Sequence, residues 1–462
     1  MREPRVLSTV FDLIADPSPG SLPLLAGGTA ARTVAWRDGS PVTAGQFLAD
    51  VRHVAERLPP APAAVNLCEE RYAFLVAFCA IALRGQANLL PPSRAPRAID
   101  EVMADHPGCY ALGDLPLDPA PPHYHRLPAL PAPTGEAAGE WPLIDAVQVV
   151  AIGYTSGSTG RPAAHVKTWG SFHASTAGNL RMLRERVGER FNVVATVPPQ
   201  HMYGIETSVL LPLLGDVAVC GSRPFFPADV AAGLTAVPAP RVLVTTPVHL
   251  RALVESGVTL PPLAAMLSAT APMPQELAAR AEQRYGAPLV EVFGSTETCV
   301  FATRQPTAGE LWQLYDGVRL HPQPDGTQVQ APQLATPVVL ADLVTLHEDG
   351  RAFRLCGRHA DLLEIAGKRA SLGDLTRRLL AIPGVHDGVV LQLDEPDAGG
   401  VRRIAALAVA PGMTEAHILD ALRGAMDPLF LPRPLRLVED LPRNETGKLP
   451  RAALLALLAG RD

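Results

Sequence analysis

Apolar positions recur at helical spacing through "VTAGQFLADVRHVAERL" (42–58), behind a Thr placed to cap the first turn, and the short apolar run "AAVNLC" (63–68) then reads as a strand. "RYAFLVAFCAIALRG" (71–85) is apolar on every side and predicts a buried helix ended by Gly85, with "QANLLPP" (86–92) as the next strand. This βαβ rhythm is the mark of a parallel, doubly wound sheet. A Pro/Ala/Gly-rich stretch, "LPALPAPTGEAAGEWP" (127–142), reads as a connector before the strand "VQVVAIG" (147–153). The rhythm resumes with strands at "FNVVATVPP", "RVLVTTP", "LAAMLSATAP" and "PLVEVFGSTE", with helices such as "PQELAARAEQRYG" between them. From about Gln328 to Leu355 the pattern shifts to short strands and turns, as in a hairpin or small barrel, and after Arg358 a small α+β unit begins. There is no internal repeat.

Composition narrows the class. A chain of 462 residues, 47% hydrophobic, buries a large core and predicts more than one domain. The net charge of −6 and the lack of any Lys/Arg-rich run speak against nucleic acid or an anionic membrane as partner, so the expected ligand is small. Six scattered cysteines without a C-x-x-C pair predict reduced, mostly buried thiols rather than a zinc site or disulfide framework. The N-terminus lacks a signal-like apolar core and no apolar run reaches spanning length, so a cytoplasmic protein is expected. The wealth of Ala, Pro and Arg over Lys suggests a bacterium with GC-rich coding.

Chemistry enters at "GYTSGSTGRPAAHVKTW", Gly153 to Trp169. Backbone N–H groups of a Gly-rich turn, with Ser and Thr hydroxyls beside them, form a nest for phosphate oxygens. The spacing matches neither G-x-x-x-x-G-K-[ST] nor G-x-G-x-x-G. Taken alone, such a cluster reads first as a surface loop.

It does not stand alone. "TSGSTGRP" resembles the phosphate loop of the adenylate-forming superfamily of acyl-CoA synthetases, peptide-synthetase adenylation domains and luciferases. The resemblance continues in order through "PPQHMYG" (Pro198 to Gly204), "EVFGSTE" (Glu291 to Glu297), Asp342 in "VLADL", "CGRHADLLEIAGKR" (Cys356 to Arg369) and "LPRNETGK" (Leu441 to Lys448). It implies an α/β fold with a large N-terminal core domain, 1–357, of two doubly wound βαβ subdomains plus a small β-barrel-like unit. A small mobile α+β domain, 358–462, would close over it.

The implied reaction joins a carboxylate to the α-phosphate of Mg-ATP, releases pyrophosphate, and hands the acyl group to a thiol of CoA or of a carrier protein's phosphopantetheine. By the resemblance, Thr155, Ser156, Gly157, Ser158, Thr159 and Gly160 hold the β- and γ-phosphates, and Glu297 binds Mg2+ as a hard oxygen ligand. Phe293, Gly294, Ser295 and Thr296 with Ala269 line the adenine side, Asp342 and Arg358 take the ribose, and Lys448 bridges the attacking carboxylate and the α-phosphate. His201, with a gating part in the catalytic site, joins Tyr203, Gly204 and Thr270 in the acid pocket, and Arg358, Ala360 and Asp361 form the hinge.

Several positions depart from the family pattern. The loop normally continues P-K-G, whereas this chain reads Pro162, Ala163, Ala164, and Lys167 is the candidate to restore the lost charge. Ala360 stands at the usual hinge Asp or Lys, Glu364 and Ala366 replace commonly polar or basic positions, and Asp374 stands where Glu is common. "TSGSTGRPAAHVKTW" with "AGKRASLGDL" is similar to compact AMP-ligases of aryl-polyene and xanthomonadin-type pathways. That implies a hydroxybenzoate-like acid and a free-standing acyl carrier protein as partner. A medium-chain acyl substrate and a degenerate adenylate-binding regulatory module are the competing readings, the latter motivated by Ala163 and Ala360.

Overall fold

The computed structural model describes residues 20–130, 141–156, 162–358, 362–365, 368–396, 402–444 and 449–460. Gly157, Ser158, Thr159, Gly160, Ala360, Asp361 and Lys448 lie outside the described residues, as does most of the Pro/Ala/Gly-rich connector.

Two large sheets carry the N-terminal part. The first has six strands, in the spatial order Pro162–Thr168, Val149–Ser156, Ala87–Leu90, Ala63–Asn66, Tyr110–Gly113, Tyr124–Arg126. All its pairings are parallel except that of Pro162–Thr168, which runs back along Val149–Ser156 as an antiparallel edge. The helix Arg71–Leu83 has 12 of its 13 residues buried, which explains why its sequence shows no polar stripe. Thr43 caps the preceding helix, Ala44–Ala55, by accepting from the Gln46 N–H.

The second sheet has eleven strands. Its parallel centre runs Leu289–Ser295, Ala265–Ser268, Arg241–Thr245, Phe191–Ala195, Val217–Cys220 and Thr33–Arg37 in space. Chain order reverses at Phe191–Ala195, so the segment that leaves its carboxyl end, Thr196 to Gly204, opens at a topological switch point. Such points are where open α/β sheets part to admit a ligand.

The small β unit differs in form from a barrel. Arg319–Gln323, Gly326–Gln330 and Val338–Leu340 make an open three-stranded sheet, whereas Asp342–Leu346 and Ala352–Arg358 pair with each other and join the large sheet through Trp312–Leu314. An aromatic cluster explains the join: Phe353 stacks on Trp312 at 6.3 Å, and Phe293 packs against both.

Residues after Arg358 form a separate core, where Asp387–Pro396, Arg402–Val409 and Leu435–Leu437 make a sheet packed by the helices Leu372–Leu380 and Glu415–Ala425. All six cysteines are free thiols and five are buried. Among the described residues no helix is long and apolar enough to cross a membrane.

Candidate functional site

Residues far apart in sequence meet where the two large sheets abut. The hairpin Val149–Ser156/Pro162–Thr168 brings Ser156 opposite Pro162 and Gly153 opposite His165. Alternation puts His165 and Lys167 on one face of their strand. Both reach the turn that carries Glu297. His165 Nε2 lies 3.0 Å from the Thr155 hydroxyl and 3.6 Å from Glu297 Oε1, while Lys167 donates to the Glu297 carbonyl oxygen at 2.8 Å. His165 thus spans the phosphate-loop strand and the carboxylate expected to bind metal. A lone His inside a hairpin strand carries no local signal of such a role in the sequence.

The Glu297 turn is built tightly. It joins Leu289–Ser295 to Cys299–Arg304, and the Ser295 and Thr298 side chains each accept from the other's N–H, at 3.2 and 3.1 Å. Gly294 is required here, since a Cβ would come within 2.2 Å of the Cys299 carbonyl oxygen. Burial alone would raise the Glu297 pKa, but the Ser295 hydroxyl, the residue's own backbone N–H, His165 and Lys167 outweigh it and hold the carboxyl below its usual range. The group is therefore an ionised oxygen donor at neutral pH, as Mg2+ demands. Burial, opposed by Glu297 and reinforced by Lys167, keeps the His165 imidazole below its usual value and so neutral at pH 7.

The expected adenine side is also assembled. Phe293 is half-buried on the cluster of Phe301, Trp312 and Phe353, with ring centroids 5.3 to 5.9 Å away. Ala269 and Thr270 follow the strand Ala265–Ser268, and Thr270 holds a φ of +79°, an uncommon conformation for a β-branched residue. The Ser268 hydroxyl is buried and, among the described residues, has no hydrogen-bond partner. Glu291 ties this segment to the Glu297 strand: it accepts from the Met273 N–H at 2.9 Å and pairs with Arg304 at 2.6 Å. "EVFGSTE" contains Glu291, yet no local pattern showed what it holds.

Asp342 and Arg358 stand opposite each other in the register of their two strands, so the two ribose candidates are neighbours. On the acid side, Tyr203 is buried and donates to the Leu267 carbonyl at 2.9 Å, which fixes the His201–Gly204 segment against the strand before Ala269. His201 is partly exposed at the mouth of this segment. Gly204 is tight against the Pro198 main chain, with 2.0 Å between a built Cβ and the Pro198 oxygen.

A family model described as AMP-binding enzyme matches residues 30–330, a span that holds the residues above except Asp342, Phe353 and Arg358. The chain belongs to the AMP-binding enzyme family. Like the rest of the adenylate-forming superfamily it is an α/β enzyme, and of the AMP-forming acid–thiol ligase kind. Among curated relatives, a 4-coumarate–CoA ligase of Halorhodospira halophila is 28% identical over 309 residues, 64% of this chain and 73% of that protein. A 3-hydroxybenzoate–CoA/4-hydroxybenzoate–CoA ligase of Thauera aromatica is 25% identical over 352 residues, 66% of this chain and 65% of that protein. Among solved structures, o-succinylbenzoate CoA synthetase from Bacillus subtilis with its acyl-adenylate superposes with a TM-score of 0.75 at 18% identity, covering 92% of this chain and 96% of that one.

A charged cluster joins the enzyme's C-terminal part to its core. Arg443, in the motif that leads to Lys448, grips Asp387 with two bonds of 3.0 and 2.8 Å, and Arg251 of the core helix Pro247–Glu255 reaches the same carboxylate at 3.2 Å.

Proposed function

We propose that the enzyme activates an aryl carboxylic acid of the hydroxybenzoate kind as its acyl-adenylate and transfers it to a phosphopantetheine thiol, of a free-standing carrier protein or of CoA, in the cytoplasm. The carboxylate oxygen bonds to the α-phosphorus as the bond to the bridging oxygen breaks, and pyrophosphate leaves. The thiol then attacks the acyl carbonyl, AMP departs, and the thiol proton passes to solvent. The observation that carries this reading is that His165 links the Thr155 hydroxyl to the Glu297 carboxylate while Lys167 holds the Glu297 carbonyl oxygen.

In this reading Thr155 to Gly160 hold the leaving phosphates, and Asp342 and Arg358 orient the ribose. Phe293 with Gly294, Ser295, Thr296 and Ala269 lines the adenine. Glu297 would hold Mg2+, which neutralises phosphate charge as a Lewis acid. Lys448 would stabilise charge developing at the α-phosphate. His201, Tyr203, Gly204 and Thr270 would shape the acid pocket. The residues present suit the group: an ionised oxygen donor, a flat aromatic face and an unpartnered buried hydroxyl lie on the segments concerned. Aryl specificity is supported by the coumarate and hydroxybenzoate ligases among the relatives.

The test is acid-dependent exchange of labelled pyrophosphate into ATP across benzoates, hydroxybenzoates, cinnamates and fatty acids. Exchange with a hydroxybenzoate is expected. Exchange with medium-chain acids alone would replace the aryl reading, and ATP binding without exchange for any acid would leave only a binding module. Thioester formation with a holo carrier protein compared with free CoA then separates the two acceptors.

A further inference from the structure

Two buried ionisable side chains hold the main chain of the Glu297 turn. Lys167 is 4% exposed and Glu206 is 1% exposed. Lys167 donates to the Glu297 carbonyl oxygen at 2.8 Å, before the turn closes. Glu206 accepts from the Val300 N–H at 3.1 and 3.0 Å through its two oxygens, just after it. The Asn179 amide donates to Glu206 at 3.3 Å, and the Tyr315 hydroxyl fixes Asn179 at 3.0 Å. Buried polar side chains are kept where hydrogen bonds offset the cost of their burial, and here each side chain makes that bond to the main chain of one turn. Each comes from a different working part. Lys167 lies on the strand returning from the phosphate loop, and Glu206 lies in the π-helical turn Ile205–Val209, directly after the pocket residues Tyr203 and Gly204. π-turns of this kind often mark functional positions.

We propose that Lys167 and Glu206 are a paired set of positioning residues that clamp the main chain of the Glu297 turn at both ends, setting where the metal-binding carboxylate stands and locking that place to the phosphate strand and the acid pocket. Lys167 then serves the nucleotide through a backbone oxygen, from behind, and not as a cation in the phosphate loop. The inference rests on the proposed function, since it needs Glu297 to serve a Mg-nucleotide.

The test compares wild type, Lys167→Met, Lys167→Arg and Glu206→Gln. ATP binding is measured by calorimetry with Mg2+ and again in EDTA, with folding checked by circular dichroism, and the Mg2+ dependence of pyrophosphate exchange is measured alongside the acid KM. Losing a group that orients a metal ligand costs about tenfold or more in metal-linked affinity. Lys167→Met should therefore weaken Mg-ATP binding about tenfold while leaving binding in EDTA near wild type, and should raise the Mg2+ needed for half-maximal exchange without moving the acid KM. Glu206→Gln should shift the same readouts in the same direction, and Lys167→Arg should restore part of the loss. Should Lys167→Met fail to fold, Lys167→Arg and Glu206→Gln carry the comparison. Equal losses with and without Mg2+ would point to direct phosphate contact and overturn the clamp, as would variants that bind like wild type. A wild type with no acid-dependent exchange would overturn the proposed function and this inference with it.

Discussion

Lys448 is the residue whose proposed role separates catalysis from binding. If its ammonium meets charge that develops at the α-phosphate, Lys448→Ala should lose adenylation by about 10²-fold, the scale for removing one preorganised contact. Preformed acyl-adenylate should still be transferred to the thiol at a near-normal rate, so measuring the two half-reactions separately checks the role; equal slowing of both would contradict it. Glu206 makes a second prediction at this scale. Burial raises its pKa from 4.5 to about 7, opposed by the Val300 N–H, Lys167, Asn179 and Ser175. Between those values the native state keeps a proton that the unfolded chain has lost. This group's contribution to stability is therefore full below its unfolded pKa and is lost as pH rises through the folded value. Glu206→Gln cannot titrate, so its urea midpoint should fall less than that of wild type between about pH 5 and about pH 8.

Among the elements, the segment from Pro198 to Val209 is tightly packed on its own main chain. Gly204 leaves no room for a methyl group, because a Cβ would sit 2.0 Å from the Pro198 oxygen and 2.9 Å from its carbonyl carbon, neither of which can rotate away. Gly204→Ala should cost about 3 kcal/mol of stability, at the upper end for overpacking, and raise the acid KM in whatever fraction folds. Urea unfolding and a KM titration check both parts, and a fully stable variant with an unaltered KM would show that this segment yields. The same steric logic at Gly294 keeps the Glu297 turn closed against Cys299, so the "MYG" and "FGSTE" glycines answer to backbone approach rather than to flexibility.

Across the whole molecule, a charged tie between the two parts centres on Asp387. Arg443 holds it from within the C-terminal part and Arg251 from the core, with side chains only 18% and 19% exposed. Arg251→Ala leaves the two-bonded Arg443 pair in place, so the C-terminal fold should persist while its hold on the core loosens. The expected outcome is faster limited proteolysis in the proposed hinge, 358–361, with thermal unfolding of the C-terminal part unchanged. Unaltered cleavage would mean that Arg251 does not restrain the domain.

What the sequence determined by itself was local: the alternation of strands and helices, the buried helix at 71–83, the Thr43 cap, and the order of motifs that marks an adenylate-forming enzyme. Periods of 2 and 3.6 residues, and turn chemistry within a few positions, are written in neighbouring residues and need no knowledge of the fold. Only the tertiary structure decided that Asp342–Leu346 and Ala352–Arg358 extend the large sheet through an aromatic cluster instead of closing a barrel. It alone placed His165 between Thr155 and Glu297, gave Glu291 to Met273 and Arg304, and set Lys167 and Glu206 on the two ends of one turn. Lys167 meets a residue 130 positions away and Glu206 one 94 positions away. Side-chain periodicity says which face of an element is buried, but the partner on that face is chosen by the packing of distant elements, and that choice leaves no trace in the residues on either side.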